Sequence, residues 1–272
     1  MRIGFDAKRL YNNFTGLGNY SRTLVRNLQH YFPEDEYDLY TPKIKEEITT
    51  TPFLNSKNYH THCYSGMCKN LWRSSWIKKD LKRDSINLFH GLSHELPTHI
   101  DKSGIRSIVT MHDVIFLTFP DMYTAIDRAI YNHKFRYACR HADKIIAISQ
   151  YTRQDLITYF GVPEEKIEVI YQAIQPTFYT MQPQERAIAT VQAHKLPEDY
   201  LLYVGSINSR KNLLNLVKAL PLLPRDMQIP LVVVGNGHQY KEEVQKYIQK
   251  TNLTHQVIFI NNLQDPLALQ AF

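Results

Sequence analysis

Short apolar runs alternate with segments of helical periodicity along most of the chain. Six runs rich in Val, Ile and Tyr predict strands in the first 172 residues, at Ile3–Phe5, Tyr37–Tyr40, Ile86–Phe89, Ile105–Met111, Lys144–Ile148 and Ile167–Tyr171. Strands that alternate with helices in this way are typical of a doubly wound parallel sheet. The predicted fold class is therefore α/β.

The alternation stops at a polar stretch and then begins again. Residues 173–198 contain three prolines and are predicted to form an interdomain linker. Further strands are predicted at Tyr200–Val204, Leu231–Val234 and Val257–Ile260, with helices between them. We therefore expect one domain over residues 1–172 and a second over 199–272. The second is shorter than a typical domain of ~100–150 residues, and we expect it to be incomplete.

The amino-acid composition and net charge exclude few classes of function. Of the 272 residues, 43% are apolar and 21% are charged, which is ordinary globular usage. The formal net charge of +6 favours anionic partners without choosing among nucleotides, phosphorylated lipids and nucleic acids. Three cysteines and the lack of an apolar signal-peptide core at the start predict a cytoplasmic location. The apolar runs are far shorter than the ~20 residues that cross a bilayer, so any membrane contact should be peripheral.

A glycine turn ahead of a predicted helix is the first candidate site. It contains Gly16, Gly18 and Asn19. Glycines allow close approach of a ligand, and the free amides at a helix N-terminus favour phosphate or diphosphate. A dinucleotide-binding fingerprint would begin directly after the first strand, whereas this turn comes later. An ordinary turn remains the alternative.

Polar residues follow two of the predicted strands. His112 and Asp113 come after Ile105–Met111, at the carboxyl edge where open α/β sheets bind ligands. Because a neighbouring carboxylate can fix the tautomer of an imidazole or raise its pKa, His112 is a candidate donor to a sugar hydroxyl or a leaving group. The alternative is a histidine that caps a loop.

The helix after Lys144–Ile148 opens on the same edge. Ser149 is predicted to be its N-cap, and the helix should end before Gly161. Arg153 lies in the first turn, where a cation opposes the helix dipole, so we expect it to bind an anion. A surface ion pair with Asp155 or Glu165 is the alternative.

The second predicted domain repeats the order of strand, glycine turn and helix. Gly205 ends its first strand and Gly235 its second, while Arg210 and Lys211 stand just before a helix. An arginine fork beside the compact charge of a lysine suits the oxygens of a diphosphate. A solvated basic face is the alternative.

Five motifs together resemble the retaining family-4 glycosyltransferases of GT-B architecture. They are Thr15-Gly16-x-Gly18-x-Tyr20, His112-Asp113, Ala147-Ile148-Ser149-x-x-Thr152-Arg153, Tyr203-Val204-Gly205-x-x-x-x-Arg210-Lys211-Asn212 and Val233-Val234-Gly235. The resemblance spans nearly the whole chain and favours the mannosyl- and glucosyltransferases of bacterial surface polysaccharides. It implies two Rossmann-like domains that face a cleft, a GDP- or UDP-linked sugar held mainly by the second domain, and a glycan or lipid-linked acceptor.

The same resemblance implies a role for several residues. Gly16 and Gly18 would approach the diphosphate, and Arg210 and Lys211 would neutralise the departing nucleoside diphosphate, so that neither a metal ion nor a cofactor is expected. His112 would stabilise the oxocarbenium-like transition state. The family's paired glutamates are absent from the sequence, which implies a truncated donor site. Residues 171–174 also differ from the Asn-Gly pair that relatives usually carry there.

Other function classes keep some support. His60, His62, Cys63 and Cys68 are candidate zinc ligands, but their spacing matches no standard framework. A nicotinamide-dependent oxidoreductase is disfavoured by the glycine spacing, and no motif for reading nucleic acid occurs. A non-catalytic nucleotide-binding or scaffold relative remains open.

A helical segment with two tryptophans is the candidate for membrane contact. Helical spacing places Trp72, Trp76, Lys79 and Arg83 on one side. Two indoles with cations suit an anionic membrane interface or a lipid-linked acceptor. Aromatic packing covered by long basic side chains is the alternative.

Overall fold

Two units, Met1–Ile174 and Gln175–Phe272, make up the chain in the computed structural model. Residues 1–224, 227–261, 263 and 265–272 are described. The stretch from residue 175 to residue 198, which the sequence predicts as linker, lies in the second unit. There the amide of Gln270 donates to the carbonyls of Thr177 (2.8 Å) and Thr180 (2.5 Å).

The first unit is built on a parallel sheet of seven strands, which confirms the predicted α/β class. The strands are β1 Arg2–Asp6, β2 Glu36–Thr41, β3 Tyr59–Cys63, β4 Leu88–Gly91, β5 Arg106–Met111, β6 Lys144–Ala147 and β7 Ile167–Val169. Their order in the sheet is β3-β2-β1-β4-β5-β6-β7. The strand order reverses between β1 and β4, and the carboxyl ends of two such strands are where open α/β sheets form a ligand crevice.

Strand β3 is an addition to the six strands that the sequence predicts. Its residues are mostly polar, so it carries no apolar run to reveal it. Polar and ring contacts attach it to β2: Nε2 of His62 lies 2.6 Å from Asp38 Oδ1, and the imidazole stacks on Tyr40 at 4.5 Å. Among the described residues, no group of three or more His, Cys, Asp or Glu side chains is placed to hold a metal ion.

Helices cover both faces of this sheet. They are α1 Lys8–Asn12, α2 Gly16–Tyr31, α3 Thr51–Leu54, α4 Lys69–Leu71, α5 Ile77–Arg83, α6 Ile115–Thr118, α7 Ala125–His141 and α8 Gln150–Phe160. Side chains alternate between faces along each strand, so one buried cluster forms around Phe89, Val109 and Ile145 and another around Phe5 and Leu39.

The second unit has a parallel sheet of three strands in the order β10-β9-β8. The strands are β8 Leu201–Val204, β9 Leu231–Val234 and β10 Val257–Ile260, and the helices are α9 Gln184–Ala193, α10 Leu213–Ala219, α11 Gln239–Lys250 and α12 Pro266–Ala271. A side chain at Gly235 would place its Cβ 1.9 Å from the carbonyl oxygen of Gly205. The glycine turns therefore allow the ends of β8 and β9 to approach each other closely.

The prediction that Trp72 lies with Trp76 on an exposed, membrane-facing side of the helix is wrong. A π-helical turn, Trp72–Trp76, joins α4 to α5 and shifts the side chains away from regular α-helical spacing. Trp72 is 3% exposed, stacks on Tyr64 at 4.9 Å and donates its Nε1–H to Asp80 Oδ2 at 2.6 Å. Trp76 is 43% exposed. The two indoles therefore do not form one exposed face.

The contrast between the two tryptophans is testable by fluorescence, because the chain contains no others. Acrylamide should quench Trp72→Phe protein, which retains the exposed Trp76, far more strongly than Trp76→Phe protein. The Trp76→Phe protein should also emit at shorter wavelength. Equal quenching of the two variants would contradict the buried position of Trp72.

Candidate functional site

The glycine turn before α2 is held by one asparagine. Oδ1 of Asn13 accepts hydrogen bonds from the backbone N–H groups of Thr15 and Gly18, each at 3.0 Å, and from the Thr15 hydroxyl at 2.9 Å. A Cβ on Gly18 would lie 1.7 Å from the Asn13 carbonyl oxygen, whereas one on Gly16 would meet open space. Gly18 is therefore required for packing, and Gly16 is the glycine open to a ligand.

A buried arginine lies behind this turn and was not predicted from the sequence. Arg22 is 2% exposed and donates to the carbonyls of Leu10 (2.7 Å) and Asn13 (2.9 Å) and to Oδ1 of Asn19 (2.7 Å). Its Nε has no partner, and no carboxylate among the described residues pairs with it. Burial lowers its pKa to about 10, so the cation persists at neutral pH. The predicted site residue Asn19 thus helps to hold a cation that has no carboxylate partner among the described residues.

His112 lies at the end of β5 with both ring nitrogens engaged. Its Nε2 lies 3.0 Å from the Leu92 carbonyl oxygen, and its Nδ1 lies 2.8 Å from Nε2 of Gln172. A carbonyl only accepts, so Nε2 carries the hydrogen and Nδ1 accepts from the Gln172 amide. Burial lowers the pKa of His112, which is 6% exposed. The ring is therefore neutral and fixed in one tautomer.

The backbone of His112 is fixed as well. Its N–H donates to Nε2 of His94 at 3.0 Å, and its carbonyl accepts from the Thr152 hydroxyl at 3.1 Å. The Tyr20 ring meets the imidazole edge-on at 4.7 Å, and the Tyr20 hydroxyl lies 2.9 Å from Oγ1 of Thr110. Elements far apart in sequence therefore meet at this residue. Asp113, beside it, is exposed and accepts from the backbone N–H of Ile115 at 3.3 Å.

Helix α8 has the predicted ends. Oγ of Ser149 accepts from the backbone N–H of Thr152 at 3.0 Å, and Gly161 ends the helix with a φ of +64°. Arg153 pairs with Glu164 at 2.5 Å. Its predicted role in binding an anion would thus require this ion pair to open.

The glycine turns and the cation pair of the second unit come together at the carboxyl end of its sheet. Asn208 caps a short 3₁₀ turn, Ser209–Lys211, by accepting from the backbone N–H of Lys211 at 3.1 Å. The side chains of Arg210 and Lys211 are exposed, and neither forms an ion pair within the part of the chain that the structure describes. The turn that follows β8 and Gly205 therefore carries two cations with no ion-pair partner among the described residues.

No helix in the described ranges combines the length and the apolar character needed to span a bilayer.

The different environments of Gly16 and Gly18 lead to opposite expectations for alanine. Gly18→Ala should lower the free energy of unfolding by roughly 1–3 kcal/mol, because its Cβ cannot fit beside Asn13. Gly16→Ala should be neutral or stabilising by up to about 1 kcal/mol, because alanine favours the helix. Urea unfolding of both variants measures the difference, and equal destabilisation would contradict the assignment.

Comparison with known proteins places both units in described sequence families. Residues 14–178 match the model for Glycosyltransferase Family 4, and residues 184–271 match the model for Glycosyl transferases group 1. The chain is 26% identical over 255 residues to O-antigen chain mannosyltransferase B of Escherichia coli, an alignment that covers 86% of this chain and 64% of that protein. It is 27% identical over 183 residues to the serotype-specific mannosyltransferase WbdA of Escherichia coli, covering 65% of this chain and 22% of WbdA.

Solved structures share the fold. Anabaena HepE in complex with UDP and glucose superposes with a TM-score of 0.69 at 15% identity, covering 99% of this chain and 72% of HepE. WaaG, a glycosyltransferase involved in lipopolysaccharide biosynthesis, superposes with a TM-score of 0.71 at 16% identity, with the same coverage. The fold is thus that of GT-B glycosyltransferases, as predicted. Because the Family 4 model matches more than half of its residues, the chain belongs to Glycosyltransferase Family 4.

Proposed function

We propose that the chain is part of a retaining glycosyltransferase that moves a mannose- or glucose-type hexose from a GDP- or UDP-linked donor to a glycan or lipid-linked acceptor. Family membership and the similarity to O-antigen chain mannosyltransferase B and to the serotype-specific mannosyltransferase WbdA support surface polysaccharide synthesis as the setting. The observation that carries the proposal is the exposed pair Arg210 and Lys211, which forms no ion pair with any described residue and follows the glycine turn at Gly205.

This cation pair meets the main chemical demand of the reaction. When the glycosidic bond of a nucleotide sugar breaks, negative charge develops on the departing diphosphate, and fixed positive charge at that point lowers the barrier. The Arg210 guanidinium can hold two phosphate oxygens, while Lys211 supplies a compact charge. We propose that these side chains supply the positive charge without a metal ion or cofactor.

The first unit contributes a second electropositive feature. The N-terminus of α2 carries the partial positive charge of the helix dipole, and Arg22 adds a full charge that no carboxylate among the described residues balances. The backbone at Gly16 is open to a ligand, whereas the Gly18 amide is already bonded to Asn13. We propose Gly16, rather than Gly18, as the glycine of this unit that contacts an anionic ligand.

His112 is assigned a positioning role toward the donor sugar. Its neutral ring uses both nitrogens within the protein, so direct donation to a substrate would require the bond to Leu92 or to Gln172 to break. With both nitrogens bonded, the ring fixes the turn that contains Asp113.

Removal of either cation should weaken nucleotide binding. A hydrogen bond to a charged group contributes about 1.5–3 kcal/mol, so Arg210→Gln and Lys211→Gln should each lower the affinity for GDP or UDP by about tenfold or more. Lys246→Gln, an exposed lysine on α11, is the matched control and should bind normally. Calorimetric titration with GDP and UDP measures the effect.

A transfer assay with GDP-mannose and UDP-glucose then separates an enzyme from a binding protein. The proposal expects sugar release or transfer that falls in the same two variants. Nucleotide binding that depends on the cations but leads to no release or transfer would identify a non-catalytic relative. Unchanged nucleotide affinity in both variants would contradict the proposed donor site.

A further inference from the structure

A cavity of about 210 Å³ lies in the first unit at the carboxyl edge of its sheet. Its lining includes Asp6, the last residue of β1, and residues of the loop that follows β4, the two strands between which the strand order reverses. None of the site residues predicted from the sequence lines it. A water occupies ~30 Å³, so the space suits a single six-membered ring with its hydroxyl groups rather than a nucleotide.

The charged side chains that line the cavity balance one another. Arg73 donates its Nε–H to both carboxylate oxygens of Asp6 (3.0 and 2.9 Å) and its Nη1 hydrogen to Glu95 Oε2 at 2.6 Å. Nζ of Lys134 donates to Glu95 Oε1 at 3.2 Å. Among the residues that line the cavity, two carboxylates therefore face two cations, and both of these cations are paired. A ligand of this cavity should be neutral.

A tightly held loop forms one wall. Its ends, His94 and His99, adopt left-handed backbone conformations with φ of +62° and +59°, which cost roughly 1–2 kcal/mol each outside glycine. The loop folds back so closely that a Cβ on Gly91 would lie 2.2 Å from the Glu95 carbonyl oxygen. The Thr98 N–H donates to the Ser74 carbonyl at 2.7 Å. The wall is thus fixed before any ligand arrives.

Hydrogen-bonding capacity along the lining is unused. The Tyr137 hydroxyl accepts from the His99 N–H at 2.5 Å, but its own hydrogen has no acceptor among the described residues. The Thr98 hydroxyl has no partner in the same part of the chain, and Nη1 and Nη2 of Arg73 each keep one hydrogen. Apolar surface from Phe89, Leu96 and Pro97 completes the lining.

We propose that this cavity binds one neutral hexopyranose ring of the acceptor glycan. Sugar hydroxyls both donate and accept, so they can use the carboxylate oxygens of Asp6 and Glu95 together with the donors of Thr98, Tyr137 and Arg73. The ring's C–H groups can pack on the apolar surface, in the mixture that small-molecule sites usually show. The assignment to the acceptor rests on the proposed function, whereas the preference for a neutral saccharide follows from the balanced charges.

Methyl α-mannopyranoside is the probe for this site. Saturation-transfer NMR and calorimetry should detect its binding to the full chain, and the double variant Thr98→Val/Tyr137→Phe should bind it about tenfold more weakly. Both substitutions preserve volume and leave the ion pairs intact, and thermal unfolding confirms that the variant is folded. Tyr159→Phe, on the exposed side of α8, is the matched control and should bind as the unmodified chain does.

Competition between methyl α-mannopyranoside and sugar nucleotides shows whether the cavity binds the acceptor sugar or the donor sugar. GDP-mannose and UDP-glucose should leave methyl α-mannopyranoside bound, as should GDP and UDP. Displacement by the sugar nucleotides but not by the free nucleotides would assign the cavity to the donor sugar and overturn the proposal. Absence of saccharide binding, or equal affinity in the double variant, would also overturn it. Failure of the proposed function would look different, with saccharide binding retained and nucleotide binding absent.

Discussion

The fixed position of His112 is the constraint that organises the first unit. Its ring bonds to the segment after β4 through Leu92 and to the segment after β7 through Gln172, while its backbone bonds to His94 and to Thr152 at the start of α8. A buried imidazole with both nitrogens satisfied avoids the cost of an unpaired polar group. Hydrogen bonds to His112 therefore connect several of the loops at the carboxyl edge of the sheet.

Two arginines, one buried and one half-buried, give this edge two different electrostatic characters. Arg73 is surrounded by carboxylates, so its cavity is neutral overall and suits an uncharged ligand. Arg22 bonds to backbone carbonyls and an amide, with no carboxylate among the described residues, so the turn before α2 stays electropositive and suits an anionic one. A buried cation without a counter-charge is costly in a folded protein unless something compensates it. The same residue type thus gives one part of this edge a balanced charge and another part a net positive charge.

Much of the fold could be predicted because it depends on local patterns. The apolar runs at Leu231–Val234 and Val257–Ile260 match β9 and β10 at both ends, and Ser149 and Gly161 bound α8 as expected. Strand β3 escaped prediction because its residues are mostly polar and form no apolar run. Trp72 was misplaced because a π-helical turn changes the spacing on which helical faces depend.

The candidate site was less predictable, because its contacts join distant parts of the chain. Gln172 lies 60 residues from His112, and nothing in its local sequence shows that it fixes the imidazole. The role of Gly18 in packing depends on the position of the Asn13 carbonyl, and the role of Gly235 depends on Gly205. Nothing in the sequence around Arg22 indicates that it is buried, because its partners are the backbone carbonyls of Leu10 and Asn13 and the side chain of Asn19.

Nitrogen NMR of the His112 ring tests this account most directly. The structure predicts a single neutral form with hydrogen on Nε2 at pH 7, because burial lowers the pKa of His112 below the value near 6.5 of a free imidazole. Assignment is made by comparison with His112→Gln protein. A ring that carries its hydrogen on Nδ1, or that becomes protonated with a pKa near 6.5, would contradict the locked geometry on which the site depends.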